Sequence, residues 1–304
     1  MPFHSGLVAL VGRPNAGKSS LLNALVGERI AAVSSKPQTT RNRVVGIWNP
    51  EEAQIVLLDT PGVHEAWTPM NVRMVEAAFS VVEEVDAVAW IVDVVPLMTA
   101  VHENRPILDE SHLQLGERLN KGRQPLVVVL NKIDLVQRHD LLPIIAAFSA
   151  ITANVVPVSA KKRDGLDALA RTLARVLPEQ PALYPDDILT DATERFIVAE
   201  LIRERIFEHC AQEVPYASAV EIEKFDESAR EAGLVHIHAR IVVEKESQKG
   251  ILIGRGGKMI KRIGTESRRQ IEALLGCRVR LDLFVAVERD WTQNPRLLKE
   301  LGVG

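Results

Sequence analysis

Residues 12–19 read Gly-Arg-Pro-Asn-Ala-Gly-Lys-Ser, the spacing G-x-x-x-x-G-K-[S/T] of a loop that wraps phosphates. Its glycines let the backbone turn tightly, so successive N–H groups and a helix N-terminus converge on one anion. Lys18 is placed to reach the β- and γ-phosphates, and the Ser19 hydroxyl suits Mg²⁺. A second group belongs beside that cation, and Asp59-Thr60-Pro61-Gly62 supplies it at the end of an apolar run. Asn131-Lys132-Ile133-Asp134 suits a purine. A carboxylate at Asp134 accepts from both N1–H and N2–H₂ of guanine, a donor pair adenine lacks, while Asn131 can bond N7 and the Lys132 stem can cover the ring. Ser159-Ala160-Lys161 is a tight loop whose N–H groups suit guanine O6. A different chemistry sits in Ile253-Gly254-Arg255-Gly256-Gly257-Lys258, where glycines admit a nucleic-acid backbone and the charged residues meet its phosphates.

These motifs need elements to hold them. Leu7–Val11 reads as a buried strand before the phosphate loop, and Leu21, Leu22 and Leu25 have helical spacing after it. Val44–Trp48 and Ile55–Leu58 form a hairpin across Asn49-Pro50-Glu51-Glu52. Val85–Val95, Pro125–Leu130 and Asn154–Val158 are further strands, and each nucleotide motif falls at a strand end. Strands alternating with helical stretches predict an α/β fold with a doubly wound, mostly parallel sheet and its ligand loops at the strand C-termini.

Leu177–Asp187, carrying Pro178, Pro181 and Pro185, reads as a semi-rigid linker. The expected division is therefore 1–177, a linker over 178–188, and a second domain over 189–304. In that second half Thr190–Ala211 predicts an amphipathic helix, with Val198, Ile202, Ile206 and Cys210 every fourth residue. Val220–Ile222, Val235–Val243 and Val279–Val285 alternate as strands, and His236 and His238 share one sheet face as solvated side chains. After Gly257 a helix puts Ile260, Ile263, Ser267, Ile271 and Leu274 on one side and leaves Lys258, Lys261, Arg262, Arg268 and Arg269 for the others.

Charge supports the same division of labour. The chain carries a formal net charge of −3, which excludes a uniformly basic nucleic-acid binder. Yet 249–269 holds seven basic residues and only Glu266 as an acid. Cys210 and Cys277 match no metal or redox spacing, so a reducing cytoplasm is the expected setting. The start of the chain shows no signal peptide, and nothing approaches the roughly 18 apolar residues of a membrane span.

With Gly12–Ser19, Gln38-Thr39-Thr40-Arg41, Asp59–Gly62, Asn131–Asp134 and Ser159–Lys161 in order, the chain resembles the translation-factor-like GTPases and, more narrowly, their Era branch. The second half resembles a type II KH RNA-binding domain, and Glu194-Arg195-Phe196 and Glu213-Val214-Pro215-Tyr216 fit the same family. The resemblance implies a slow GTPase switch, working with GTP/GDP and Mg²⁺, that binds the 3′ end of 16S ribosomal RNA and acts in 30S subunit maturation. It implies nucleotide contacts from Gly12, Arg13, Pro14, Asn15, Ala16, Gly17, Lys18, Ser19 and Ser20. Asp59, Thr60, Pro61, Gly62, Asn131, Lys132, Asp134, Ser159, Ala160 and Lys161 complete that site. The metal falls to Ser19, Thr40 and Asp59, and the catalytic positions are Lys18, Thr40, Gly62 and Asn15. RNA falls to Ile253, Gly254, Arg255, Gly256, Gly257, Lys258, Lys261, Arg262 and Arg268.

In Ras-like proteins a glutamine after D-x-x-G orients the attacking water; here Val63 stands there and cannot. Asn15 matches a position that in related GTPases helps hold K⁺ beside the phosphates, where the ion would take an arginine finger's part, or else it merely favours the loop turn; His64 is a weaker substitute as water-positioner. The loops Ser34–Arg43 and Asp59–Met70 are the expected switch. The stretch Pro96–Lys121 is longer than the family spacing, with Val101–Asp109 read as an inserted loop of unknown role. Arg289, Trp291 and Arg296 either extend the RNA surface or pack as a terminal helix. A monomer is expected, and contact with the inner face of the cell membrane is implied by resemblance only. Two other readings compete: a phosphate-loop ATPase or kinase, opposed by Asn131–Asp134, and an RNA-binding module whose nucleotide is structural.

Overall fold

The computed structural model describes residues 3–34, 36, 43–62 and 79–301. Contacts divide the chain into two compact units, Met1–Glu28, Arg43–Trp67 and Asn71–Asp191 in one, and Arg29–Asn42, Thr68–Met70 and Ala192–Gly304 in the other.

The first unit is a six-stranded sheet in the order β2-β3-β1-β4-β5-β6, made from β1 (His4–Val11), β2 (Val44–Trp48), β3 (Ala53–Asp59), β4 (Ala87–Asp93), β5 (Leu126–Asn131) and β6 (Val155–Pro157). The β2–β3 pair is antiparallel and the remaining pairs are parallel. Continuous runs such as Val127–Leu130, 0 % exposed, are what a parallel strand covered on both faces requires. Chain order reverses at β1, which pairs with β3 on one side and β4 on the other, so the crevice beyond the end of β1 is the expected ligand position. The sheet is accompanied by helices α1 (Lys18–Val26), α2 (Glu110–Asn120), α3 (Leu141–Ser149) and α4 (Leu166–Val176). Residue 157 is a proline, and β6 ends there on the edge of the sheet, where a missing donor is tolerated.

Within the stretch read as an inserted loop only Val101 and His102 are helical: a short helix Met98–His102 ends there, residues 103–109 are non-helical, and α2 follows with Leu115 and Leu119 buried. The proline-rich stretch after Leu177 is tied down along the first unit. Gln54, fully buried on β3, accepts the Leu183 and Tyr184 N–H groups at 2.7 Å each and donates to the Tyr184 carbonyl at 2.8 Å. Ser5 Oγ donates to the Pro181 carbonyl at 2.6 Å, and the Ile47 N–H to that of Leu189 at 2.8 Å. A buried amide needs partners, and the 183–184 backbone provides them. The contact boundary falls at Asp191/Ala192.

The second unit packs helices on a three-stranded sheet, β7-β8-β9. Strands β7 (Ser218–Asp226) and β8 (Leu234–Val243) are antiparallel, with a bulge between Ile222 and Lys224, and β9 (Arg278–Val287) runs parallel to β8. The first helix, α5, begins at Glu194 rather than Thr190, because the Thr193 hydroxyl accepts the Phe196 N–H and caps it. It ends at His209 and buries Val198, Ile202 and Ile206. Helices α6 (Glu246–Ile253) and α7 (Lys258–Leu275) flank the glycine turn, and α7 buries Ile263, Ser267, Ile271 and Leu275. Trp291 is 0 % exposed, packs with Ala219, Val242 and Leu298, and donates its indole N–H to the Ala217 carbonyl at 3.2 Å. It is a core residue, not a stacking platform for RNA. His238 lies on the open sheet face, 3.8 Å from Asp282. No helix among the described residues is long and apolar enough to cross a membrane.

Candidate nucleotide site and nucleic-acid interface

The loop between β1 and α1 is shaped by what surrounds it. A Cβ at Gly12 would fall 2.3 Å from the Ile91 carbonyl, and one at Gly17, whose φ is +93°, would fall 2.3 Å from Asn131 Nδ2. Only glycine fits either place. Asn15 sits at φ 62°, a left-handed conformation that asparagine tolerates better than most residues. The Lys18 ammonium is buried and donates to the carbonyls of Gly12 at 3.1 Å and Arg13 at 3.2 Å. Burial lowers its pKa to about 8, against the opposing pull of Asp59.

Ser19 Oγ donates to Asp59 Oδ2 at 2.5 Å. These two are hard oxygen donors, already adjacent beside the ammonium, and they fit the small hard cation Mg²⁺. Thr60, fully buried, donates to the Leu10 carbonyl at 2.8 Å and fixes the chain after β3. A Cβ on Gly62 would come within 2.9 Å of the Pro14 nitrogen, so the 59–62 turn lies against the phosphate loop. Thr40, Val63, His64 and the other residues of 37–42 and 63–78 lie outside the described residues.

The base end is held by β5 and the turn after β6. Asp134 is exposed and its Oδ1 accepts from Ser159 Oγ at 2.6 Å. Lys132 adopts φ 69°, runs past Gly17 and places its ammonium 2.6 Å from Asp93 Oδ2. The Ser159 hydroxyl also accepts the Lys162 N–H at 3.0 Å, and Lys161 is exposed. Asn131 is 2 % exposed, donates from Nδ2 to the Ala16 carbonyl at 2.9 Å and accepts the Ala160 N–H at 3.1 Å. Its amide braces the phosphate loop to the 159–161 loop. Sequence reasoning missed Asp93, although it ends β4 as Asp59 ends β3 and Asn131 ends β5.

In the second unit Gly254 (φ 69°), Gly256 (φ 58°) and Gly257 (φ 74°) all lie in the region that favours glycine. Arg255, Lys258, Lys261, Arg262 and Arg268 are exposed, and Ile253 is half-buried. Beyond the turn, a groove of about 320 Å³ runs between α7 and the edge strand β9, lined among others by Lys261, Thr265, Arg268 and Asp282. Arg262 is not among its lining residues; it pairs with Glu266 at 3.1 Å, on which His209 also converges. Gly264 opens the groove floor, since a Cβ there would meet Leu283 at 3.3 Å. Asp282 and Gly264 were not read as site residues. The only signal was that β9 is a sheet edge, which requires the pairing order.

Comparison with known proteins joins the two halves. The family described as 50S ribosome-binding GTPase matches residues 7–132, and the KH domain family matches 213–292. GTPase Era of Geobacter metallireducens is 46 % identical over 99 % of this chain and 98 % of its own length. GTPase Era of Lacticaseibacillus paracasei is 45 % identical over 98 % of this chain and 96 % of its own. Two crystal structures superpose along the whole length. One is a point variant of Aquifex aeolicus Era bound to GDP·AlF4⁻, with TM-score 0.90 and 34 % identity, covering 99 % of both chains. The other is Era in complex with MgGDPNP and nucleotides 1506–1542 of 16S ribosomal RNA, with TM-score 0.88 and 35 % identity over 99 % of both. A phosphate loop braced to a guanine-type base loop, followed by a glycine-turn RNA fold and matched end to end at this identity, places the chain in the Era family of GTPases.

Proposed function

We propose that this chain is a GTP-hydrolysing switch that binds the 3′ segment of 16S ribosomal RNA and acts in maturation of the 30S subunit. The observation that carries it is the coexistence, in one chain, of a braced guanine-nucleotide site and a basic glycine turn opening on a groove. The relative solved with 16S RNA nucleotides supports the choice of partner. In this reading 1–177 is the nucleotide domain, 189–304 the RNA domain and 178–188 the segment between them.

Lys18 holds the β- and γ-phosphates, while the N–H groups of residues 13–20 surround them. Asp134 accepts from the guanine edge, with Ser159 orienting its carboxylate and the N–H groups of 159–161 facing O6. Ser19, Asp59 and Thr40 would hold Mg²⁺, which when bound would neutralise phosphate charge. Asn15 would hold a K⁺ ion, which when bound would supply positive charge against the phosphates as an arginine finger does. Arg255, Lys258, Lys261 and Arg268 line the path of single-stranded RNA of about four nucleotides, and Asp282 accepts from the amino group of a base in the groove.

The test has three arms. Hydrolysis of GTP but not ATP, lost on Lys18→Ala, is expected; ATP turnover at a comparable rate overturns the nucleotide assignment. Short RNAs from the 16S 3′ end should bind more tightly than scrambled ones, and differently with GDP and a non-hydrolysable GTP analogue. For the ion, turnover should be faster in K⁺ than in Na⁺, and Asn15→Ala should remove the difference.

A further inference from the structure

The Arg13 side chain leaves the phosphate loop and reaches the start of α2. Its Nη2 donates to Asp109 Oδ1 at 2.6 Å, also meets Ser111 Oγ and lies 3.4 Å from His112 Nδ1. Asp109 is the N-cap of that helix. The same Oδ1 accepts the His112 backbone N–H at 2.8 Å and the Ser111 hydroxyl at 3.0 Å, and faces His112 Nδ1 at 2.8 Å. His112 is 4 % exposed, its ring 6.3 Å from Trp90 and 6.0 Å from Phe148. One end of this cluster is therefore set in the core of the first unit. The other end is the phosphate-loop backbone, because the Arg13 carbonyl accepts both the Lys18 ammonium at 3.2 Å and the Ala16 N–H at 3.3 Å.

We infer that Asp109 is a positioning residue for GTP hydrolysis: it anchors Arg13 to α2, so that the Arg13 carbonyl fixes the Lys18 ammonium and the turn of the phosphate loop. This gives a role to the long segment before α2. The inference rests on the assignment of the loop to GTP. Burial opposes ionisation of Asp109, but hydrogen bonds from Arg13 and the His112 N–H outweigh it and hold the carboxyl well below its usual range. The carboxylate stays ionised in any assay near neutrality. Its side chain is 56 % exposed, and exposed pairs stabilise a fold little. Its effect is therefore sought in catalysis, not in melting.

Asparagine is as good an N-cap as aspartate, so Asp109→Asn keeps the helix start and removes only the charge that holds Arg13. The expected result is a fall in kcat of up to about fivefold, the upper end for an exposed charge pair, with KM for GTP and melting temperature near the parent's. Asp109→Glu should recover most of the lost rate. Asp109→Ser, which also caps, should behave as Asp109→Asn and guards against a folding artefact. In a double-mutant cycle Arg13→Gln with Asp109→Asn should be no slower than the slower single variant. A parental kcat in both Asp109→Asn and Asp109→Ser, a loss confined to KM, or strictly additive effects in the cycle each overturn the inference. A parent that does not hydrolyse GTP instead removes the assignment beneath it, so the two failures are distinguishable.

Discussion

The two sites solve opposite problems with opposite means. Around the phosphate loop the polar side chains hold one another: Lys18 its own loop carbonyls, Ser19 Asp59, Ser159 Asp134, Lys132 Asp93. Around the glycine turn the side chains of Arg255, Lys258, Lys261 and Arg268 enter no ion pair among the described residues. A small ligand of fixed shape is bound by groups that are already in place, and reorganisation is avoided. A polymer of phosphates is bound by mobile charges that displace its counterions. The first kind of site fails when one partner is removed, the second when charge is removed.

The comparison can be broken in four ways, of decreasing size. Trp291→Ala removes a fully buried indole from the second unit and should cost about 3–5 kcal/mol of its stability. Urea denaturation followed with and without GTP should show that unit melting early while nucleotide binding persists. Next, Asp134→Asn turns the accepting carboxylate into a partial donor. Hydrogen bonds to charged groups contribute roughly 1.5–3 kcal/mol, so GTP affinity should fall at least about tenfold and xanthine nucleotides should gain. Unchanged GTP binding would remove Asp134 from the base site.

Third, Arg255→Asp with Lys261→Glu reverses charge beside the groove while leaving Gly256, with its left-handed φ, untouched. RNA affinity should fall and the salt slope should flatten by about two units, one per lost phosphate contact, with GTP binding as in the parent. The smallest effect concerns His112. Burial first, and the nearby Arg13 second, push its pKa below the ordinary value, with Asp109 pulling the other way. The unfolded chain therefore binds this proton more readily, and stability is lost as pH falls below about 6.5. Urea midpoints at about pH 7.5 and 5.5 should differ less in His112→Gln.

How much was legible beforehand depended on whether a residue's partner lay close in sequence. The strand–loop–helix around Lys18 could be read because apolar runs and glycines are local signals. The glycine turn at 254–257 and the basic face of α7 were equally readable. The bracing contacts of Asn131 and Arg13 were not, since each is made with atoms brought from elsewhere by the fold. Trp291 illustrates the same limit: a tail aromatic is ambiguous until the Ala217 carbonyl and the Val242 surface are known. The 178–188 prolines signal a semi-rigid linker and the end of a helix, but not what the linker rests on: the buried amide of Gln54, which ties the chain down, lies 129 residues earlier than Leu183.

Asn131 has a consequence for cooperativity. One side-chain amide joins Ala16 and Ala160, separated from it by 115 and 29 residues, so the phosphate end and the base end open as a single unit of local unfolding. The amide hydrogens of the two loops should exchange with deuterium at matching rates and gain protection together when either end of the nucleotide is engaged. Engagement of one end of the nucleotide is thereby expected to be felt at the other, through a single side-chain amide.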